Sequence, residues 1–181
     1  LEEAVAERCA TITGQLTIAN TQESSLEQLS GVTSVEGPLF IALNDNLESL
    51  GGLSNIESVG GELHITSNEA PSTLSGLSAL KTVSGGLHIE RNAALGTLSG
   101  LSALTSVSGG LHIERNDALS ALSGMPALKS VSDGIHIERN SDLEGGVRGL
   151  CGVAADSVDI RLGRGNLRYT DLDAFCSDDY A

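Results

Sequence analysis

Hydrophobic residues recur along this chain in two patterns that together repeat every 24 residues. In the clearest copy, Leu87 and Ile89 alternate with polar residues, as expected for a strand with one buried face. Apolar residues then recur at every third position, a spacing typical of short extended or 3₁₀-like segments that turn around a core. The full apolar frame of this copy is Leu87, Ile89, Leu95, Leu98, Leu101, Leu104 and Val107. The chain is therefore a tandem array of stacked coils.

One six-residue phrase marks the predicted strand of the central copies. Leu-His-Ile-Glu-Arg-Asn occupies 87–92 and 111–116, and Ile replaces its first Leu at 135–140. A weaker copy, Leu-His-Ile-Thr-Ser-Asn, occupies 63–68. Stacking places equivalent residues above one another at about 4.8 Å, which predicts a parallel sheet along the stack. We predict an all-β fold with short capping helices, a parallel β-solenoid with a 24-residue repeat.

Two further rows indicate how each coil turns its corners. An Asn follows the strand's Ile by three places, and inward-pointing Asn side chains can satisfy backbone groups that a corner leaves unpaired. A Gly precedes the strand's first Leu by two places, which predicts either φ > 0 or close backbone approach. Asp133 and Asp156 take the Gly position in later coils, and Asp tolerates such angles. The two rows are Asn44, Asn68, Asn92, Asn116 and Asn140, and Gly14, Gly37, Gly61, Gly85 and Gly109.

We predict one solenoid domain over residues 1–181. Residues 1–10 have helical spacing and form an N-terminal cap, 11–145 carry the regular repeats, and 146–181 form a last irregular coil and a C-terminal cap. After Leu143 the pattern decays, although 158–160 predicts one more strand. A helix start is expected at 170–173, so that Leu172 and Phe175 cover the last coil. The residues that fall off register are Val147, Leu150 and Val153.

The chain has three cysteines, which allow three different single disulfides. We favour Cys151 with Cys176, because both lie in the irregular C-terminal segment where a solenoid gains most from a cross-link. Cys9 is then unpaired, or paired with a residue outside this sequence. Three buried thiols are the alternative.

The formal net charge is −14, and no cluster of Lys or Arg interrupts the acidic surface. Nucleic acids and anionic membranes are therefore poor partners, since both require a positive face. No apolar run approaches the roughly 20 residues needed to cross a bilayer. Aromatic residues make up 2% of the chain, which argues against a very tight protein interface and favours a monomer or weak oligomer.

Because Leu and Ile of the repeated strand point inward, the residues between them and after them are expected to point outward in rows. Like positions roughly 4.8 Å apart would allow two imidazoles to share a divalent metal ion with a Glu. The candidate metal ligands are His88, His112, His136, Glu90 and Glu114. Adjacent imidazoles disfavour protonation of one another whereas neighbouring carboxylates favour it, and ligand binding through this face should depend on pH between about 5 and 7. The three rows are His64, His88, His112 and His136; Glu90, Glu114 and Glu138; and Arg91, Arg115 and Arg139.

The repeated apolar frame, with Asn after the strand and Val-x-Gly before it, resembles the receptor L-domain, a cousin of the leucine-rich repeat. The resemblance covers about residues 9–165 and includes the opening Cys-Ala-Thr-Ile-Thr-Gly at 9–14. It implies an extracellular or cell-surface right-handed β-solenoid of the L-domain and leucine-rich-repeat type, from a bacterium or another source, that binds a ligand without catalytic machinery. Residues that contact a hormone or growth factor cannot be carried over, because no motif for them is visible.

We therefore predict a non-enzymatic module, extracellular, on the cell surface or periplasmic, which presents the His/Glu/Arg face to a protein or glycan. No cofactor is expected apart from the divalent metal of the alternative hypothesis. A simpler interpretation is that repeat duplication copied three solvated residues without any selected site. Paired hydroxyls such as Ser106 and Ser108 on another face suggest ice binding as a distant alternative, which Glu36 and Gly60 interrupt.

Overall fold

The computed structural model describes residues 11–143, 146–162, 167–172 and 176, and it is a parallel β-solenoid with almost no helix. Each coil contributes one strand to each of two sheets. The long-strand sheet comprises Leu16–Ala19, Leu39–Ala42, Leu63–Thr66, Leu87–Glu90, Leu111–Glu114, Ile135–Glu138, Val158–Leu162 and Leu167–Tyr169. The short-strand sheet comprises Thr11–Ile12, Ser34–Val35, Ser58–Val59, Thr82–Val83, Ser106–Val107, Ser130–Val131 and Ala154–Ala155. The predicted N-terminal cap at 1–10 lies outside the described residues.

The register of both sheets follows the sequence repeat, as predicted. Leu111 pairs with Leu87 on one side and with Ile135 on the other, and the strands run parallel. Short 3₁₀ turns connect the strands in the part of the coil where apolar residues recur every third position. These turns are Glu27–Leu29, Gly51–Leu53, Ser75–Leu77, Ser99–Leu101 and Gly146–Leu150.

The predicted apolar frame forms one continuous core. Every member of the frame from Leu87 to Val107 has 0% exposure. Burying each such side chain contributes about 1.5–3 kcal/mol relative to leaving it in water. Because each coil adds the same layer, Leu and Ile are fixed by packing and the residues between them are free to vary.

The predicted Asn row is buried and forms a ladder through the stack. Asn92 Nδ2 donates to the backbone oxygen of Ile65 at 2.9 Å and to that of Glu90 at 3.1 Å. Its Oδ1 accepts from the backbone N–H of Asn68 at 3.2 Å. In the described residues, every buried side-chain nitrogen or oxygen has a hydrogen-bond partner. The inward-pointing Asn therefore satisfies the backbone at each corner, as predicted.

None of the five glycines in the predicted row has φ > 0, and four of them, Gly37, Gly61, Gly85 and Gly109, serve close backbone approach, whereas a Cβ atom on Gly14 would meet nothing within 4 Å. A Cβ atom on Gly109 would lie 2.6 Å from the backbone nitrogen of Gly86. Asp133, expected to tolerate positive φ, does not adopt it, and the next residue, Gly134, has φ +114°. Asp156 likewise does not adopt positive φ. The left-handed residues of the repeat lie instead at the end of the long strand, where Arg91, for example, has φ 53°.

The C-terminal part continues the solenoid further than the sequence suggested. Leu150 and Val153 are buried although they fall off register, and Ala154–Ala155 pairs with Ser130–Val131. The predicted strand at 158–160 is present, and Leu167–Tyr169 adds an antiparallel strand at its edge. Leu172 is buried against the core, as expected for a cap, whereas Phe175 lies outside the described residues.

The predicted disulfide joins Cys151 to Cys176 across 25 residues, with a Cα–Cα distance of 5.7 Å. It links the last 3₁₀ turn to the C-terminal segment. Cys9 lies outside the described residues.

Candidate functional site

The four histidines of the chain form one row on the outer face of the long-strand sheet, which we call the histidine ladder (His64, His88, His112 and His136). The parallel register pairs His64 with His88, His88 with His112, and His112 with His136. Between Leu63 and Ile65, which point into the core, the His64 side chain points outward and is 25% exposed. The predicted outward row is therefore present, and the fold alone positions it.

The imidazole rings of the ladder stack on one another. The ring centroids of His64 and His88 lie 4.4 Å apart and those of His88 and His112 lie 4.6 Å apart, with interplanar angles of 2° in both pairs. Phe40 stacks on His64 at 4.9 Å and extends the row towards the N-terminal end. His136 departs from the stack, since its ring is tilted by 44° from His112 at 5.9 Å. The regular part of the ladder therefore ends at His112.

Burial of the stacked rings decides which protonation state they prefer. Burial lowers the pKa of His88 below its ordinary value, and the neighbouring His64 and His112 lower it further. Burial also lowers the pKa of His112, with His136 acting in the same direction. Nearby carboxylates, Glu90 in both cases, oppose these effects but do not outweigh them. Both imidazoles are therefore neutral at pH 7.

The predicted carboxylate and arginine rows lie beside the ladder and pair across coils. Arg139 Nη1 lies 3.0 Å from Glu114 Oε1 in the preceding coil and 3.0 Å from Glu138 Oε1 in its own coil. Arg161 extends this network, with Nη1 at 2.9 Å from Glu138 Oε2. Arg115 also pairs with Glu114. Positive and negative charges therefore alternate on this face and neutralise one another locally, whereas the chain as a whole has a formal net charge of −14.

Arg91, Arg115 and Arg139 all have a left-handed backbone, with φ between 53° and 55°. Non-Gly residues adopt this conformation at a cost, and the corner imposes it in every coil. Sequence reasoning missed this, because Arg, Ser67 and Leu43 at the same position share no preference for it. The left-handed backbone conformation of each Arg sets the direction in which its side chain extends from the end of the strand.

Among the described residues, the group whose metal-binding atoms all lie within 4.8 Å of one another is Glu62, His64 and His88. Of the metal ligands expected from the sequence, this group contains His88. Glu90 lies near that histidine, with Oε1 3.8 Å from His88 Nδ1, and His112 continues the stack. Glu62 was missed because it precedes the repeated phrase, at a position where the next coils carry Gly.

Glu62 is held by a direct contact with the ladder. Its Oε2 accepts a hydrogen bond from His64 Nε2 at 2.9 Å, and this bond lowers the pKa of the Glu62 carboxyl. The Glu62 side chain is 55% exposed, so it is accessible to solvent and to ligands.

The other sheet offers a contrasting surface. Its outward positions carry mainly hydroxyl side chains, such as Ser106 paired with Ser130. A separate cleft of about 330 Å³ lies at the C-terminal end, between 153–158 and 170–172. None of the residues expected to bind a ligand lines this cleft.

Comparison with known proteins supports the resemblance seen in the sequence. The family model described as Receptor L domain matches residues 8–63 and again residues 57–145. The two matches together span more than half of the 181 residues. Comparison with curated proteins and with solved structures gave no match. Within the described residues, no helix is both long and apolar enough to cross a membrane.

Proposed function

Because the chain belongs to the receptor L-domain family, a family of extracellular domains of a non-catalytic, binding type, we propose that it is a non-enzymatic binding module that recognises a protein or glycan outside the cell. The ligand-binding surface in this proposal is the outer face of the long-strand sheet. The Cys151–Cys176 disulfide supports an extracellular location, since such bonds persist in oxidising compartments.

The observation that supports this proposal is that, within each long strand, the inward side chains form the core and the outward side chains do not. In Leu111–Glu114, Leu111 and Ile113 have 0% exposure and form the core, whereas His112 and Glu114 face outward. Neither outward residue is needed for the core, because Thr17 and Phe40 occupy the His row in earlier coils and Ala42 occupies the Glu row. Residues that the fold leaves free are the ones that can be used for recognition.

The chemistry of the face suits a polar, locally neutral ligand. Glu114 and Arg139 offer carboxylate acceptors and guanidinium donors 3.0 Å apart, and neutral imidazoles lie beside them. Such alternating donors and acceptors can hydrogen-bond the hydroxyl groups of a glycan or the polar backbone of a protein segment. The large negative charge of the rest of the chain disfavours strongly acidic ligands.

Arrays of glycans and of extracellular proteins test this proposal when probed with the wild-type chain and two matched variants. The test variant is His112→Thr with Glu114→Thr, which places on one coil the residue type found at Thr17 and Thr66 in the same two rows. The control variant is Ser106→Ala with Ser130→Ala on the short-strand sheet. We expect a bound ligand to lose at least about tenfold in affinity with the test variant, the effect of about 1.4 kcal/mol. A ligand that tolerates the test variant but not the control would place the binding surface elsewhere.

A further inference from the structure

One acidic residue next to the long-strand sheet, Glu62, departs from the sequence repeat. The residue immediately before each long strand forms a row of its own, defined by the register of the strands that follow. Glu62 is the carboxylate in that row, and the next three coils carry Gly there. The members of the row are Gln15, Pro38, Glu62, Gly86, Gly110, Gly134 and Ser157.

The glycine in the next coil leaves room for a ligand atom in front of His88. A Cβ atom on Gly86 would lie 2.8 Å from His88 Nε2, so that nitrogen points towards this row and no side chain covers it from Gly86. His64 Nε2 points towards the same row, where it contacts Glu62 Oε2 at 2.9 Å. Two imidazole nitrogens and one carboxylate oxygen therefore lie on the same side of the ladder, all within 4.8 Å of one another.

We propose that Glu62, His64 and His88 bind one divalent zinc ion, with water in the fourth position. Zinc accepts imidazole nitrogen and carboxylate oxygen at about 2.0–2.2 Å, and three protein ligands with one open position is a recurrent arrangement. Calcium and magnesium require mainly oxygen ligands, which this group does not offer. The site does not depend on the ligand-binding function proposed above.

Closing this group around an ion requires the two imidazole rings to tilt towards each other, because they now stack with an interplanar angle of 2° and their in-plane lone pairs are parallel. Tetrahedral zinc places its donor atoms roughly 3.3 Å apart, whereas the atoms now lie within 4.8 Å of one another. Glu62 is 55% exposed and can rotate without disturbing the core. On the opposite edge of the ring, Glu90 Oε1 lies 3.8 Å from His88 Nδ1 and would have to move closer to orient a metal-binding imidazole through a hydrogen bond.

The same donors do not recur in the following coils. Gly110 and Gly134 stand at the position of Glu62, and the His136 ring is tilted by 44° from the His112 ring. Within the part of the chain that the structure describes, the geometry therefore predicts one zinc site, at the N-terminal end of the histidine ladder.

This site can be tested by titrating the whole chain with zinc chloride at neutral pH. Calorimetry measures the binding, and NMR follows the ring resonances of the four histidines. The test variant is Glu62→Gly, which gives this coil the residue that the next three coils carry. The control is His136→Asn, which alters the ladder away from the proposed site. Circular dichroism of each metal-free variant establishes that its fold is retained.

We expect one zinc ion per wild-type chain, with the resonances of His64 and His88 shifting first. Glu62→Gly should weaken binding by at least about 10–100-fold, the range seen when even an outer partner of a metal ligand is lost. His136→Asn should leave the affinity unchanged. The proposal is overturned by an absence of heat and of resonance shifts at equimolar zinc, or by unchanged affinity in Glu62→Gly. Equal weakening by His136→Asn would also overturn it, since the ion would then be held by the ladder as a whole.

Discussion

Removal of one side chain from the buried Asn ladder should lower the free energy of unfolding far more than removal of an exposed polar side chain. Asn92→Ala removes donors to the backbone oxygens of Ile65 and Glu90 and to Asn116 Oδ1. It also removes the Oδ1 that accepts from the backbone N–H of Asn68 at 3.2 Å and from Asn68 Nδ2 at 3.1 Å. Five hydrogen bonds at roughly 1 kcal/mol each, some sharing a donor, give an expected loss of about 4 kcal/mol in the free energy of unfolding.

Urea unfolding followed by circular dichroism measures this loss, with an unchanged slope showing that the same surface is exposed on unfolding. Asn46→Ala is the matched control, because Asn46 is an exposed corner residue whose side chain contacts Gln22 Oε1 at 3.3 Å. It should change stability by less than about 0.5 kcal/mol. Asn92→Asp keeps the side-chain volume, replaces the donors by a buried carboxylate and should be at least as destabilising as Ala. A loss below about 1 kcal/mol for Asn92→Ala would refute the assignment of the corner to these hydrogen bonds.

Three other predictions address packing, backbone strain and pH. Gly100→Ala should lower the unfolding free energy by about 1–3 kcal/mol, because a Cβ atom there would overlap the backbone of Leu74. Gly96→Ala should be tolerated, since the atom nearest to its added Cβ would be 3.8 Å away. Equal effects of the two substitutions in thermal melts would contradict this. Leu43→Asn should raise the unfolding free energy by up to about 1 kcal/mol in urea titration, because Leu43 is 53% exposed and has φ 57°, a left-handed conformation that Asn adopts more readily than Leu. A decrease would show that the Leu43 side chain packs favourably. Metal-free protein should lose stability as the pH falls below about 6.5, because the pKa values of His88 and His112 are lower in the folded than in the unfolded chain. The unfolded state therefore takes up protons first. An unfolding midpoint that does not change between pH 7 and 5 would contradict this.

The repeat predicted the architecture because packing acts identically in every coil. A residue such as Leu111 or Asn116 is surrounded by its own equivalents, so one coil's pattern specifies the core, the register and the corner hydrogen bonds. The outward rows of His, Glu and Arg follow from the same alternation. The disulfide followed from the position of two cysteines in the segment where the repeat weakens.

Features that depend on distances between coils were not accessible from the pattern. The left-handed backbone at Arg115 arises from the corner and not from any preference of Arg, so residue identity gives no signal. The need for glycine at position 100 is explained by the backbone carbonyl of Leu74 in the preceding coil, which only the stacking distance reveals. The balance of pKa effects on His112 likewise required the burial of its ring, since neighbouring charges alone gave no net direction.

In a tandem array, departures from the repeat are more informative about function than the repeat itself. Duplication copies an outward residue without selection, so three identical Glu residues in a row are weak evidence for a site. A change confined to one coil is not explained by copying, and here three such changes border the histidine ladder. Phe40 covers its first ring, Asp159 lies 3.8 Å from its last, and Glu62 meets its first imidazole at 2.9 Å. Among these, Glu62 alone lies with two imidazole nitrogens in a group whose candidate ligand atoms are all within 4.8 Å of one another. Chemistry specific to this chain should therefore be sought at the N-terminal end of the ladder, where the repeat is broken.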